Sequence, residues 1–259
     1  MTFQENLWNI EDTNASFILD FILSRKKVSS SKPLALLFDI DGTLYETESR
    51  TFGIFQEWLQ RQEKDDIGYI AQLQKLQKKE TSYHLIELFQ KAGVHLENDL
   101  GFSLLESFRE YWKKHFFDNQ TFLKYDTPIL GSASFLQKLS QESFPLFFVT
   151  GRSPTMKEGT LQQIKNIHPS FSPSSLILKE DPSLEDHLFK KRSLEKISQQ
   201  YEIIANFENE YINTFYMLEN NPSIIPVILD TSHSKAPSPS LHHKVYRLQN
   251  YLEEKNAPL

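Results

Sequence analysis

Two aspartates, Asp39 and Asp41, stand directly after an apolar run in F-D-I-D-G-T-L. In an extended backbone, side chains two apart point the same way, so this spacing turns both carboxylates to one side. Like charges that close oppose each other's ionisation unless a cation lies between them or one keeps a proton. Either remedy suits phosphoryl transfer: a magnesium ion held by carboxylate and backbone oxygen, or a protonated Asp41 acting as general acid. Gly42 then permits a sharp turn, and Thr43 adds a hydroxyl. A second pattern, V-T-G-R at 149–152, sets the Thr150 hydroxyl directly after another apolar run. Gly151 follows, and Ser153-Pro154 reads as a helix start. Backbone amides at a helix start, with such a hydroxyl, suit a bound anion.

The elements that must position these groups come in two sets. L-A-L-L-F at 34–38 is a short, continuous apolar run of buried-strand type, and similar runs recur at 145–149, 175–178, 201–207 and 224–229. Helical segments are expected at 16–26, 133–141, 155–167, 190–199 and 211–219. Strands alternating with helices predict a parallel sheet covered on both faces, with ligands bound beyond the carboxyl ends of its strands. Between about 46 and 123 the pattern is helical instead: Phe52, Phe55, Trp58 and Leu59 share one face, and Leu104, Leu105, Phe108, Tyr111 and Trp112 another. Within that stretch Tyr83 and His84 are candidate specificity contacts. The Ser- and Pro-rich tail at 230–240 reads as irregular, leading to a last helix around Tyr246–Glu254.

In order and spacing, F-D-I-D-G-T-L, a helical insert and then F-F-V-T-G-R resemble the first two motifs of the haloacid dehalogenase superfamily, and the resemblance runs along nearly the whole chain. It implies an α/β fold, a Rossmann-like three-layer sandwich with a mainly parallel sheet, plus a smaller all-helical cap. The core would be 1–45 and 127–259, and the cap 46–126. It implies that Asp39 is the nucleophile, that Asp41 is the acid/base, and that Thr150 with Gly151 binds the transferring phosphoryl group. The third-motif lysine is matched by Lys190, with Lys191 and Lys179 as rivals. The fourth motif departs from the family: a pair of Asp residues is expected after the fourth strand, whereas N-F-E-N-E gives Glu208, Asn209 and Glu210. Glu208 is matched to the first Asp and Asn209 to the outer shell, so the implied magnesium set is Asp39, Asp41, Glu208 and Asn209. The extra methylene of Glu208 and the neutral amide of Asn209 predict a weakened or reshaped metal site.

The implied activity is that of a magnesium-dependent phosphohydrolase acting on a small phosphorylated metabolite through an aspartyl-phosphate. The second Asp favours phosphatases over dehalogenases, and a phosphomutase shares the chemistry. The alternative is a relative that binds a phosphorylated ligand without turnover. A phosphoacceptor receiver domain fits less well, because it carries its acceptor on a later strand and lacks a long insert after the first. The 259 residues, 39% of them hydrophobic, can bury a substantial core. Absence of cysteine excludes thiolate chemistry and suits a reducing compartment. A net charge of -6 gives no general attraction for nucleic acid or an anionic membrane. The first residues carry acids where a secretory signal needs bases, and Phe17–Leu23 is short and contains Asp20, so a cytoplasmic protein is expected.

Overall fold

The computed structural model describes residues 8–27, 30–62, 68–81, 84–219, 221–234, 238–239 and 241–253, and Tyr83 lies outside them. The chain divides into two compact units, one made of Met1–Tyr45 and Pro128–Leu259, the other of Glu46–Thr127. In chain order the first unit contributes β1 (Trp8–Asp12), α1 (Ala15–Arg25) and β2 (Leu34–Phe38). The chain passes out through β3 (Tyr45–Glu46) into α2 (Glu48–Leu59), α3 (Tyr69–Leu73), α4 (Leu85–Lys91), α5 (Asp99–Phe116) and α6 (Asn119–Tyr125). It returns through β4 (Thr127–Pro128) to α7 (Ser132–Gln141), β5 (Leu146–Thr150), α8 (Lys157–Ile167), β6 (Leu176–Leu178), α9 (Asp186–Ile197), β7 (Glu202–Glu208), α10 (Tyr211–Leu218), β8 (Ile225–Leu229) and β9 (Leu241–Leu248).

The seven-stranded sheet has the order β1-β9-β8-β7-β2-β5-β6, and its neighbours pair in parallel. Both faces are covered, as continuous apolar strands require. On one face Leu36, Phe38, Phe148 and Phe207 pack with Ile18 and Ile22 of α1, Phe135 and Leu139 of α7 and Ile164 of α8. On the other, Leu37, Val149 and Ile228 pack with Phe189 and Leu194 of α9 and Met217 of α10. The α/β sandwich anticipated from the strand pattern is therefore what the chain forms. Phe38 stacks on Phe207 with ring centroids 4.3 Å apart, which helps to hold β2 and β7 in register just before the strands end.

The termini of the sheet differ from expectation. The helix expected around Tyr246 is instead strand β9, inserted between β8 and β1; Glu254 lies outside the described residues. Val245 joins one core layer while Tyr246 and Leu248 join the other, but His243 and Lys244 are exposed, so the sequence offers neither a continuous apolar run nor a clean alternation to read. Strand β1 was not anticipated either. It is an edge strand whose only large buried side chain is Trp8.

The helical unit has its own core, in which Phe55, Trp58, Phe89 and Phe108 are all buried. Its first and last turns are tied by a salt bridge with no exposure on either side chain. Arg50 Nε donates to Asp126 Oδ1 at 2.7 Å and Nη2 to Oδ2 at 2.5 Å, and the guanidinium lies over the Phe116 ring at 4.4 Å. No helix among the described residues is long and apolar enough to cross a membrane. Removing one member of a buried ion pair leaves the other charge desolvated, at a cost of about 3–5 kcal/mol. Asp126→Ala should therefore lower the unfolding free energy by about that amount, and Arg50→Met with Asp126→Leu should recover most of it. Urea titration of the three proteins checks this.

Candidate active site

Asp39, Thr150 and Glu208 stand at the carboxyl ends of the adjacent strands β2, β5 and β7, where the parallel sheet exposes its strand ends. Asp39 is still tied to the sheet, its N–H donating to Phe207 O at 2.9 Å. Beyond it the carbonyl of Ile40 accepts from the N–H groups of Thr43, Leu44 and Tyr45 at 3.2, 2.9 and 3.0 Å, which curls the chain into a tight turn. Gly42 adopts φ +77° there, and a Cβ at that position would lie 2.1 Å from Asn209 Nδ2, so the turn requires glycine twice over. The turn returns the Thr43 hydroxyl to Asp39 Oδ2 at 3.2 Å.

Lys190 reaches this carboxylate from α9. Its ammonium donates to Asp39 Oδ1 at 2.7 Å and also to Glu208 Oε1, and all three side chains are buried. The rival lysines go elsewhere: Lys191 pairs with Glu219 at 2.7 Å and Lys179 with Asp186 at 2.5 Å. Glu208 Oε2 accepts from the N–H groups of Asn209 and Glu210, both at 3.1 Å, and Oε1 accepts from Asn213 Nδ2 at 3.2 Å. Thr150 is 1% exposed, and its Oγ1 accepts the Arg152 N–H at 3.3 Å.

Arg152 is the group that the spacing argument passed over. Its guanidinium grips Asp41 through both oxygens, Nε to Oδ2 at 2.9 Å and Nη2 to Oδ1 at 2.7 Å. Its Nη1 donates to Thr160 Oγ1 at 3.1 Å and to Gln163 Oε1 at 2.6 Å, both on α8, so the clamp is itself anchored. The residue was visible at the end of V-T-G-R. What sequence withheld was that the turn faces Asp41.

The family model of haloacid dehalogenase-like hydrolases matches residues 36–171, more than half of the chain, and this span includes Asp39, Asp41, Thr150 and Arg152. The chain belongs to that family. Among solved structures, a Clostridium difficile protein provisionally named a phosphatase is 14% identical, with a TM-score of 0.51 over 86% of this chain and 96% of that one, which shows a shared fold. A haloacid dehalogenase hydrolase of family IA, variant 3, from Entamoeba histolytica is 12% identical, with a TM-score of 0.45 over 85% of this chain and 96% of that one. The class C acid phosphatase of Bacillus anthracis is 12% identical at a TM-score of 0.44; 75% of this chain is covered, and it spans 58% of that protein. No curated protein matches the sequence.

Hydrolases of this family generally use a divalent metal. The expected set of Asp39, Asp41, Glu208 and Asn209 fits such an ion poorly in this chain. An ionised carboxylate offers about four acceptor sites. Those of Glu208 meet Lys190, Asn213 and two backbone N–H groups. The Asn209 amide donates to Ser232 O at 2.8 Å, and Glu210 accepts from the Ser234 N–H and hydroxyl at 2.7 and 2.6 Å. Among the described residues no group of three or more His, Asp or Glu side chains is arranged to hold a metal ion.

Burial pushes the Asp39 carboxyl up to about 7, with the Lys190 charge pulling it down and the Glu208 charge adding to the rise. For Lys190, burial opposes the charged form, but the Asp39 and Glu208 carboxylates outweigh it and hold the ammonium above its ordinary range. A carboxyl whose folded pKa is raised keeps its proton in the folded state over a range where the unfolded chain has lost it, so its contribution to stability falls as pH rises through that range. The unfolding free energy of wild type relative to Asp39→Asn should therefore decrease between pH 3.8 and about 7. Urea titrations of both proteins at three pH values across this window measure it, and an increase would contradict the assignment.

Proposed function

We propose that this hydrolase removes the phosphoryl group of a small phosphate monoester through an aspartyl-phosphate formed on Asp39. The observation that carries the reading is the setting of Asp39: a buried carboxylate at a strand end, with one oxygen on a fixed ammonium and the other on the Thr43 hydroxyl. An Asp39 oxygen attacks phosphorus in line, the bond to the leaving oxygen breaks, and that oxygen takes up a proton. Water then attacks the acyl phosphate, the bond between phosphorus and Asp39 breaks, and inorganic phosphate leaves. Asp41 is the residue suited to pass the proton out and back. To do so it must exchange one of its two Arg152 hydrogen bonds for the leaving oxygen or the water. Lys190, the Thr150 hydroxyl and the Gly151 amide would face the charge that develops on the transferring group, the kind of preorganised stabilisation on which phosphoryl transfer depends.

Magnesium dependence, which the family likeness implies, would have to draw on the Asp39 carboxylate and the Asp41 main-chain carbonyl, with Glu208 already taken up by four donors. The helical unit is proposed as the cap that selects the substrate. A net charge of -6 gives no general attraction for nucleic acid, so an anionic substrate would be held by local positive charge, and the absence of cysteine accords with a cytoplasmic setting.

The commitment of Glu208 and Glu210 to other partners favours one second reading, in which the site binds a phosphorylated ligand without turning it over. A phosphate-release screen over metabolite monoesters, run with Mg²⁺ and with a chelator, separates the two. Wild type is expected to release phosphate from at least one ester, and Asp39→Asn to slow that release by at least about 10³-fold. Release from none, or an equal rate in the variant, would end the hydrolase reading.

A further inference from the structure

The residues after β7 carry a consequence for how the site is charged. Three side chains there could supply a cation with oxygen, and the two charged ones, Glu208 and Glu210, are engaged. Glu208 has two donors on each oxygen. Glu210 holds Ser234, and Asn209 is a neutral amide bonded to Ser232. Facing them are two positive groups that cannot move away easily. Lys190 stands on α9 between Phe189 and Leu194-side packing in the core, and Arg152 is held on α8 by Thr160 and Gln163. Both are buried, so their charges are weakly screened, and a divalent ion approaching Asp39 and Asp41 meets an ammonium and a guanidinium already on those carboxylates.

We infer that the free protein holds no resident divalent ion, and that Lys190 and Arg152 supply the fixed positive charge of the site. Asn209 is the residue that decides this. Its Nδ2 lies against the Gly42 turn, so an aspartate there would set a carboxylate beside the Asp39–Asp41 segment where the present amide carries no charge. Oxygen donors and their summed charge set the affinity of a site for hard cations, and here the carboxylate charge is already offset by Lys190 and Arg152 while Asn209 adds none. The inference deepens the phosphohydrolase reading and rests on it only in treating these groups as one site.

Mn²⁺ is a suitable probe in place of Mg²⁺, because its free concentration is read by electron paramagnetic resonance without any activity. Titrated into the whole protein, it should bind wild type with a dissociation constant on the order of 1 mM or weaker. Asn209→Asp should tighten binding by at least about tenfold. Lys190→Met, which frees Asp39 and Glu208 from the ammonium, should also tighten it, and it carries the test if Asn209→Asp fails to fold. Binding to wild type tenfold or more tighter than that value, or no gain in the folded variants, would overturn the inference. These results are independent of phosphate release. Tight Mn²⁺ binding with turnover refutes this inference and leaves the hydrolase reading intact, whereas weak binding without turnover under any condition does the reverse.

Discussion

The active end of the sheet depends on one buried cation. Lys190 joins the last residue of β7 to the first residue beyond β2, so its ammonium is the link between two neighbouring strand ends. The mutual dependence is strong, because each carboxylate would be costly to bury without the ammonium and the ammonium without them. Helix packing fixes the arrangement. Phe189 and Leu194 seat α9 on the sheet, and Lys190, buried on the same helix, meets Asp39 and Glu208 there. Position follows from hydrophobic burial, and charge follows from position.

Around this link the loops act as struts. Thr231 Oγ1 donates to Gly42 O at 2.6 Å, Tyr251 O–H to Thr43 O at 3.0 Å, and Asn209 to Ser232 O at 2.8 Å. The segment after β8 is thus sewn to the turn that carries Asp41, and polar side chains that might have served a ligand hold backbone instead. Asp41 has a support of its own in Arg152, which reaches it from the turn after β5 and is steadied by α8. The two carboxylates of F-D-I-D-G-T-L thus have cations on separate scaffolds, Lys190 on α9 for Asp39 and Arg152, steadied by α8, for Asp41.

The parts of this that sequence could show were those with short-range rules. L-A-L-L-F and P-L-F-F-V are continuous apolar runs, and the turn after Asp39 needs a residue that tolerates positive φ, so β2, β5 and Gly42 were legible. Lys190 was placed by order along the chain, and its contact with Asp39 spans 151 positions that no local pattern encodes. Arg152 and Asp41 are 111 positions apart, and nothing near either residue announces the other. Strand β9 failed to show for a different reason: its buried Val245, Tyr246 and Leu248 stand among charged and amide residues with helical preference, which the parallel pairing with β8 and β1 overrides.

The buried Arg50–Asp126 bridge has an implication for how such a chain can change over time. Because the first helix and the last turn of the helical unit grip each other, the unit closes on its own residues, and its aromatic core needs nothing from the sheet to be complete. A segment built in this way behaves as a cassette. Its sequence can drift, lengthen or be replaced between β3 and β4 while the strand ends that hold Asp39, Thr150 and Glu208 keep their places, so the two units answer to separate packing constraints.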